Sequence, residues 1–258
     1  YSIKQPEYLS LPVMTRYFIK LAYNGEHFHG WQSQPNSATV QATLEHALTL
    51  LLKQPIEIIG AGRTDTGVHA KLMYAHFDYE LPIETEALIN KINSFLPKSI
   101  VVFDFISLHP EAHARFDATS RTYQYFVHQQ KDAFLGNLSW FYHKKLNLDL
   151  MNEAAAILLK HTDFECFSKT NTDVFTYNCD ISEAFWVEKD NQLVFTISAN
   201  RFLRNMVRSI VGTLVEIGLE RKPVSHIEFV IASKKRSNAG FSVPAHGLFL
   251  TDIKYPYL

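Results

Sequence analysis

Apolar and polar positions along this chain change period several times, and each change marks an element. Arg16–Tyr23 reads as a strand. From about 38 to 53 the apolar positions Val40, Leu44, Ala47, Leu48 and Leu51 fall on one helical face. Short strand-like runs follow around 56–60 and 71–78, then a helix near 84–94 and a strand near 100–107. This order, β-α-β-β-α-β, is that of a ferredoxin-like split βαβ unit. The remainder repeats it with additions: a strand over 122–127, a helix near 149–160, and strands Ile181–Glu188 and Gln192–Ala199 around a Lys189-Asp190-Asn191 turn. A long helix near 203–218, a shorter one near 224–233 and a strand near 248–254 complete the pattern. The expected organisation is therefore a loose arm over 1–14, one α+β half over 15–108 and a second over 109–258. Two related halves would leave a cleft between them, a common place for ligands.

Between the second and third predicted strands lies Gly60-Ala61-Gly62-Arg63-Thr64-Asp65-Thr66-Gly67-Val68-His69. A single carboxylate sits there in a glycine-bracketed turn beside an arginine. Glycines permit close approach by another molecule, so a reactive group is well placed. An ordinary polar hairpin turn gives the same local pattern.

Composition narrows the class. A chain of 258 residues that is 47% hydrophobic can bury one large core or two smaller ones. No apolar run is long enough to cross a bilayer, no signal-peptide layout stands at the start, and only Cys166 and Cys179 are present. These features lead us to expect a soluble, cytoplasmic protein with no membrane partner and no disulfide framework. Twelve histidines include His27 and His29, but they are scattered, and no metal site is expected.

The net charge of −1 announces no nucleic-acid partner, yet its distribution is uneven. Arg201, Arg204, Arg208, Arg221, Lys222 and Lys234–Arg236 gather in one region; it reads equally as a phosphate-binding face or a solvated helix face. Spacings of three and four place Arg201, Arg204 and Arg208 on one side of the predicted helix. Arg208 borders its apolar stripe, where a half-buried arginine calls for a carboxylate partner. His113–Tyr123 interleaves arginines with aromatics, a mixture that suits phosphates and stacked bases but also fits a plain edge strand.

Taken in order, the Tyr23–Gln32 segment, the Gly62–Ala70 turn, His113–Tyr125, Asn205–Gly212 and Gly247–Leu250 resemble the tRNA pseudouridine synthase A family over about residues 16–256. The resemblance implies two RRM-like halves forming one continuous, mainly antiparallel sheet, with helices on one side. It implies a homodimeric isomerase that needs no cofactor or metal and converts uridines of the tRNA anticodon stem–loop (positions 38–40) to pseudouridine by base flipping. By position, Asp65 resembles the nucleophile, Tyr123 the tyrosine stacked on the target uracil, and Arg208 the ion-pair partner of the nucleophile. Arg63 resembles a residue that holds the flipped base, and Leu248 the apolar residue on the other side of the uracil. Arg115 and Phe116 are further candidates for substrate binding. The Ser168–Phe175 loop corresponds to a variable tRNA-contacting loop without a clean match, and Thr66 stands where many members have alanine.

Two other classes compete. A non-catalytic RNA-binding protein with RRM-like halves would need the basic and aromatic residues but not Asp65. Asp65-Thr66-Gly67 is also the tripeptide of aspartic proteases, in which two aspartates share a proton. Here Arg63-Thr64 precedes it, Val68 follows it and no second copy occurs, so a protease would have to be a dimer.

Overall fold

A computed structural model describes residues 14–169 and 174–258. All but the last residue of the expected N-terminal arm lies outside the described residues, as do residues 170–173 of the loop after Phe167. The described chain is α+β: five helices and nine strands, the strands joined in one sheet ordered Ile100–Leu108, Thr15–Tyr23, His69–Tyr79, Leu248–Lys254, Ser120–His128, Gln192–Ala199 and Ile181–Lys189, with Ile59–Gly60 beside His69–Tyr79 and Trp140–Phe141 beside Ser120–His128.

The first part runs β1 (Thr15–Tyr23), α1 (Val40–Leu52), β2 (Ile59–Gly60), β3 (His69–Tyr79), α2 (Thr85–Phe95) and β4 (Ile100–Leu108). Thr39 caps α1 by accepting from the Ala42 amide, and Val40, Leu44, Ala47 and Leu48 bury the predicted face. β1 lies between β3 and β4, antiparallel to both. Asn93 joins α2 to β4 by bonding both the N–H and the C=O of Val102, at 2.8 and 2.7 Å.

The second part runs β5 (Ser120–His128), β6 (Trp140–Phe141), α3 (Leu148–Leu158), β7 (Ile181–Lys189), β8 (Gln192–Ala199), α4 (Met206–Gly218), α5 (His226–Ser233) and β9 (Leu248–Lys254). The last strand enters the middle of the sheet, parallel to β3 and antiparallel to β5. Leu250 and Ile253 of β9 join the apolar core of the first part, whereas Leu248 joins that of the second. Tyr123 on β5 packs against both cores. The final strand thus fixes the Asp65 turn, which leads into β3, against β5.

Two predicted elements differ. The strand expected over 56–60 shrinks to Ile59–Gly60. The Ile56 and Ile58 amides donate instead to Thr49 Oγ1 and Glu45 Oε1, at 3.1 and 3.0 Å, so α1 side chains take the place of a strand partner. The helix expected from 203 begins at Met206, because Asn205 turns into the left-handed region at φ 67°. Arg201 and Arg204 therefore precede the helix, and only Arg208 lies on it.

Candidate active site

The Asp65 turn is closed by local bonds. The Val68 amide donates to the Asp65 carbonyl at 3.1 Å, and Gly67 takes φ +77°. The Thr64 hydroxyl is buried and pairs with the Tyr23 hydroxyl at 2.8 Å. The loop before α1 presses on the turn from behind: Trp31 N–H donates to the Thr64 carbonyl at 3.2 Å, and Gly30, at φ +86°, lies where a Cβ would collide with that carbonyl.

His69 anchors the far end of the turn. Its Nδ1 accepts from the Gly25 amide at 3.0 Å, which fixes the proton on Nε2. Nε2 then donates between the Asn137 and His246 carbonyls, each 3.1 Å away. Burial pushes this imidazole below its ordinary pKa, favouring the neutral tautomer that these three partners require. The sequence places His69 at the end of the glycine-bracketed turn and assigns it no role.

Asp65 faces two arginines. Arg208 Nη1 lies 3.6 Å from Oδ2, and Arg204 Nε lies 3.7 Å from Oδ1. The Asp65 side chain is 27% exposed, Arg208 20% and Arg204 59%, so Arg208 is the more shielded partner. Both separations exceed a good hydrogen bond. The two guanidiniums set positive charge beside the carboxylate without taking up its lone pairs in a closed bidentate pair. Arg208 is itself held by Nε, which donates to the Val243 carbonyl at 2.7 Å.

Arg204 is a member of this site that spacing alone placed on a helix face with Arg201. The left-handed turn at Asn205 brings it to Asp65; the Asn205 amide group holds that turn by donating to Ser209 and Ser242 hydroxyls, at 2.9 and 2.7 Å. Arg201 instead donates to the Thr176 carbonyl, at 3.1 Å. Much of the expected basic face is internally partnered: Arg221 pairs with Glu216, Lys234 with Asp163, and Arg236 bonds the carbonyls of Ala239 and Gly240.

Tyr123 stands edge-on to Phe202, with ring centres 5.2 Å apart. Burial pushes its phenol up to about 12; the nearby Arg121 cation opposes this rise and the Asp65 carboxylate adds to it. The phenol is therefore neutral at physiological pH. Leu248 is only 6% exposed and packs in the same core as Val68. Arg63 and Arg115 border a cleft beside the turn, and Phe116, 74% exposed, lies beneath the Arg115 guanidinium at 5.7 Å.

A further residue ties the site together. Arg121 donates to the carbonyls of Ala61, Arg115, Ala118 and Asn200, at 2.7 to 3.2 Å. It fastens the strand end before the turn to β5 and to the loop carrying Arg115. In the sequence it was one arginine in a mixed basic and aromatic run, with nothing to mark it as a carbonyl clamp. No group of residues suited to holding a metal ion occurs among the described residues.

Comparison with known proteins adds independent findings. A family model described as tRNA pseudouridine synthase matches residues 20–117 and 154–256. The chain is 53% identical to a tRNA pseudouridine synthase A of Parabacteroides distasonis over 244 residues, which cover 94% of this chain and 97% of that protein. It is 48% identical to one from Porphyromonas gingivalis, covering 94% of this chain and 98% of that protein. A more distant relative of the same description, from Clostridium acetobutylicum, is 38% identical and covers 92% of this chain and 98% of its own length.

Proposed function

The chain belongs to the tRNA pseudouridine synthase family, isomerases of uridine in tRNA, and from that premise we propose that Asp65 is its nucleophile and Tyr123 and Arg208 its principal partners. The observation that carries the reading is the Asp65 carboxylate, partly exposed on a fixed turn and set between Arg208 and Arg204 at 3.6 and 3.7 Å.

The chemistry demands these features. A stacked uridine cannot present its glycosidic bond, so it must leave the stack, at a cost of a few kcal/mol. Asp65 then attacks the substrate as an anion, at the sugar carbon or at the uracil ring. In either order the N1–C1′ bond breaks, the uracil turns, C5 replaces N1 on C1′, the bond to Asp65 breaks to release the carboxylate, and C5 gives a proton to a base while N1 takes one up. Atoms and charge balance within the substrate, as an isomerisation requires, and no oxidant or cofactor is consumed.

Each neighbour has a part. Arg208 and Arg204 favour the attacking anion, and they stabilise the carboxylate again when it departs. Tyr123 lies against the uracil and limits its escape while it turns. As a neutral phenol it enters as a hydrogen-bond donor, and it accepts the C5 proton only after its own has moved. Arg63 helps to keep the base flipped out. Leu248, with most of its surface already committed to the core, shapes the wall behind the pocket.

The substrate region is the anticodon stem–loop at positions 38–40, and the working form is a cytoplasmic homodimer whose two RRM-like halves, 15–108 and 109–258, frame the cleft. Support comes from family membership, from the single sheet and from two cores that meet at Tyr123. Among the described residues, no helix is long and apolar enough to cross a membrane. Incubation with an unmodified tRNA transcript, followed by chemical mapping of pseudouridine, tests the assignment. Modification confined to positions 38–40 supports it, and modification elsewhere in the tRNA contradicts it.

A further inference from the structure

The Asp65 turn borders a second space. A cleft of about 220 Å3 opens beside it, lined among others by Gln32, Gln41, Gly60, Gly62, Arg63 and Arg115. It is large enough for a phosphate with part of its sugar. Two guanidinium groups border it, and neither has a carboxylate within ion-pair reach among the described residues. Arg16, Arg204, Arg208 and Arg221, by contrast, all have one.

Arg63 is pre-set by a relay of side chains from α1. Gln41 Nε2 donates to Glu45 Oε1 at 2.9 Å and to the Ile58 carbonyl at 3.1 Å, which fixes the orientation of its amide. Its Oε1 accepts from Gln32 Nε2 at 2.8 Å, and Gln32 Oε1 in turn accepts from Arg63 Nε at 3.0 Å. The relay uses only Nε, so the two terminal nitrogens of Arg63 remain for a ligand. Across the cleft, the backbone of Arg115 is held from behind by Arg121, at 2.7 Å, while its side chain lies over Phe116.

Two unneutralised guanidiniums around one cavity, one held at Nε and the other lying over Phe116, suit an oxyanion bound by planar forks. We propose that this cleft is a phosphate subsite, taking a phosphodiester of the RNA strand next to the isomerised uridine between Arg63 and Arg115, with Gln32 as a positioning residue for Arg63. The proposal rests on the reading that Asp65 acts on a flipped uridine. A nucleotide drawn from the stack needs its flanking backbone held in the bent path, and this cleft adjoins the turn that attacks it.

The test uses the full-length protein and a tRNA transcript carrying a single neutral methylphosphonate, placed in turn at each linkage flanking the isomerised uridine. With the unaltered protein, one linkage should raise the tRNA KM about tenfold, the loss expected for one charge-assisted phosphate contact. With Arg115→Gln, KM should already be raised, and that linkage should lose its effect. Gln32→Leu should raise KM in the same direction, and Gln32→Glu should raise it too, because its carboxylate neutralises Arg63 and cannot donate to Gln41. The same methylphosphonate pattern in Arg115→Gln and in the unaltered protein would overturn the subsite. Asp65→Asn separates the two readings: if it stays active, the nucleophile assignment falls; if it is inactive while Arg115→Gln keeps the unaltered pattern, only the subsite falls.

Discussion

Arg208 donates from Nε to the Val243 carbonyl at 2.7 Å, and this bond turns its terminal nitrogen toward Asp65, 3.6 Å away. One planar guanidinium thus serves a backbone acceptor and the carboxylate together. A lysine has a single charged nitrogen and cannot meet both at these positions. Arg208→Lys should therefore lower kcat nearly as far as Arg208→Ala, about a hundredfold. Single-turnover rates on an unmodified transcript check this; a lysine variant within twofold of the unaltered protein would show that only the charge matters.

The nearness of Gly30 to the Thr64 carbonyl gives a second prediction. At φ +86° a side chain is strained before any contact, and a Cβ would also collide with that carbonyl, one residue from Asp65. Gly30→Ala should cost about 2–4 kcal/mol of stability or displace the turn, with activity falling in either case. Urea unfolding together with initial rates separates the two. Unchanged values of both would mean that the loop does not brace the turn.

Arg121 supplies a third. Its four carbonyl partners come from the segment before the turn, the loop carrying Arg115 and Asn200. Arg121→Met keeps much of the stem but strands those carbonyls, and should destabilise the protein by about 2–4 kcal/mol. Denaturant midpoints measure the loss. A shift within experimental error would show that water replaces the guanidinium.

His76 links acidity to the same region. Its Nδ1 accepts from the Ala114 amide at 3.1 Å, and burial, with smaller contributions from the Arg16 and His113 charges, pushes its pKa down to about 4. Asp78 and Asp117 oppose the shift. The folded pKa lies below the unfolded value of about 6.5, so the unfolded chain binds the extra proton first. The resulting stability is complete above pH ~6.5 and is lost as pH falls toward 4, by up to about 3 kcal/mol. His76→Gln should flatten that part of the stability–pH curve. An unchanged slope would place the acid sensitivity in the other depressed histidines, such as His69 and His113.

Much of the element order is legible in the sequence because periodicity reports burial directly. The α1 face at Val40, Leu44, Ala47 and Leu48 is an example. Elements whose backbone bonds go to side chains are not legible in this way: Ile56 and Ile58 look like strand residues, but Thr49 and Glu45 take their amides. Asn205 is a similar case. Its spacing continues the helix, whereas its left-handed turn ends it and delivers Arg204 to Asp65. The prominence of Asp65 came from its glycine-bracketed turn and from family resemblance, and the half-buried Arg208 called for a carboxylate. His69 and Arg121 act through contacts across 44 to 177 positions, or through carbonyls that no motif records, and the Gln32 relay joins side chains 4 to 31 positions apart.

The central claim is that one carboxylate performs the attack, and Asp65→Asn tests it most directly, because the amide keeps the shape and removes the charge. Pseudouridine formation on an unmodified tRNA transcript should fall below detection in single-turnover assays, while tRNA affinity stays within a few-fold of the unaltered protein. Pseudouridine accumulating at near the unaltered rate would contradict the account.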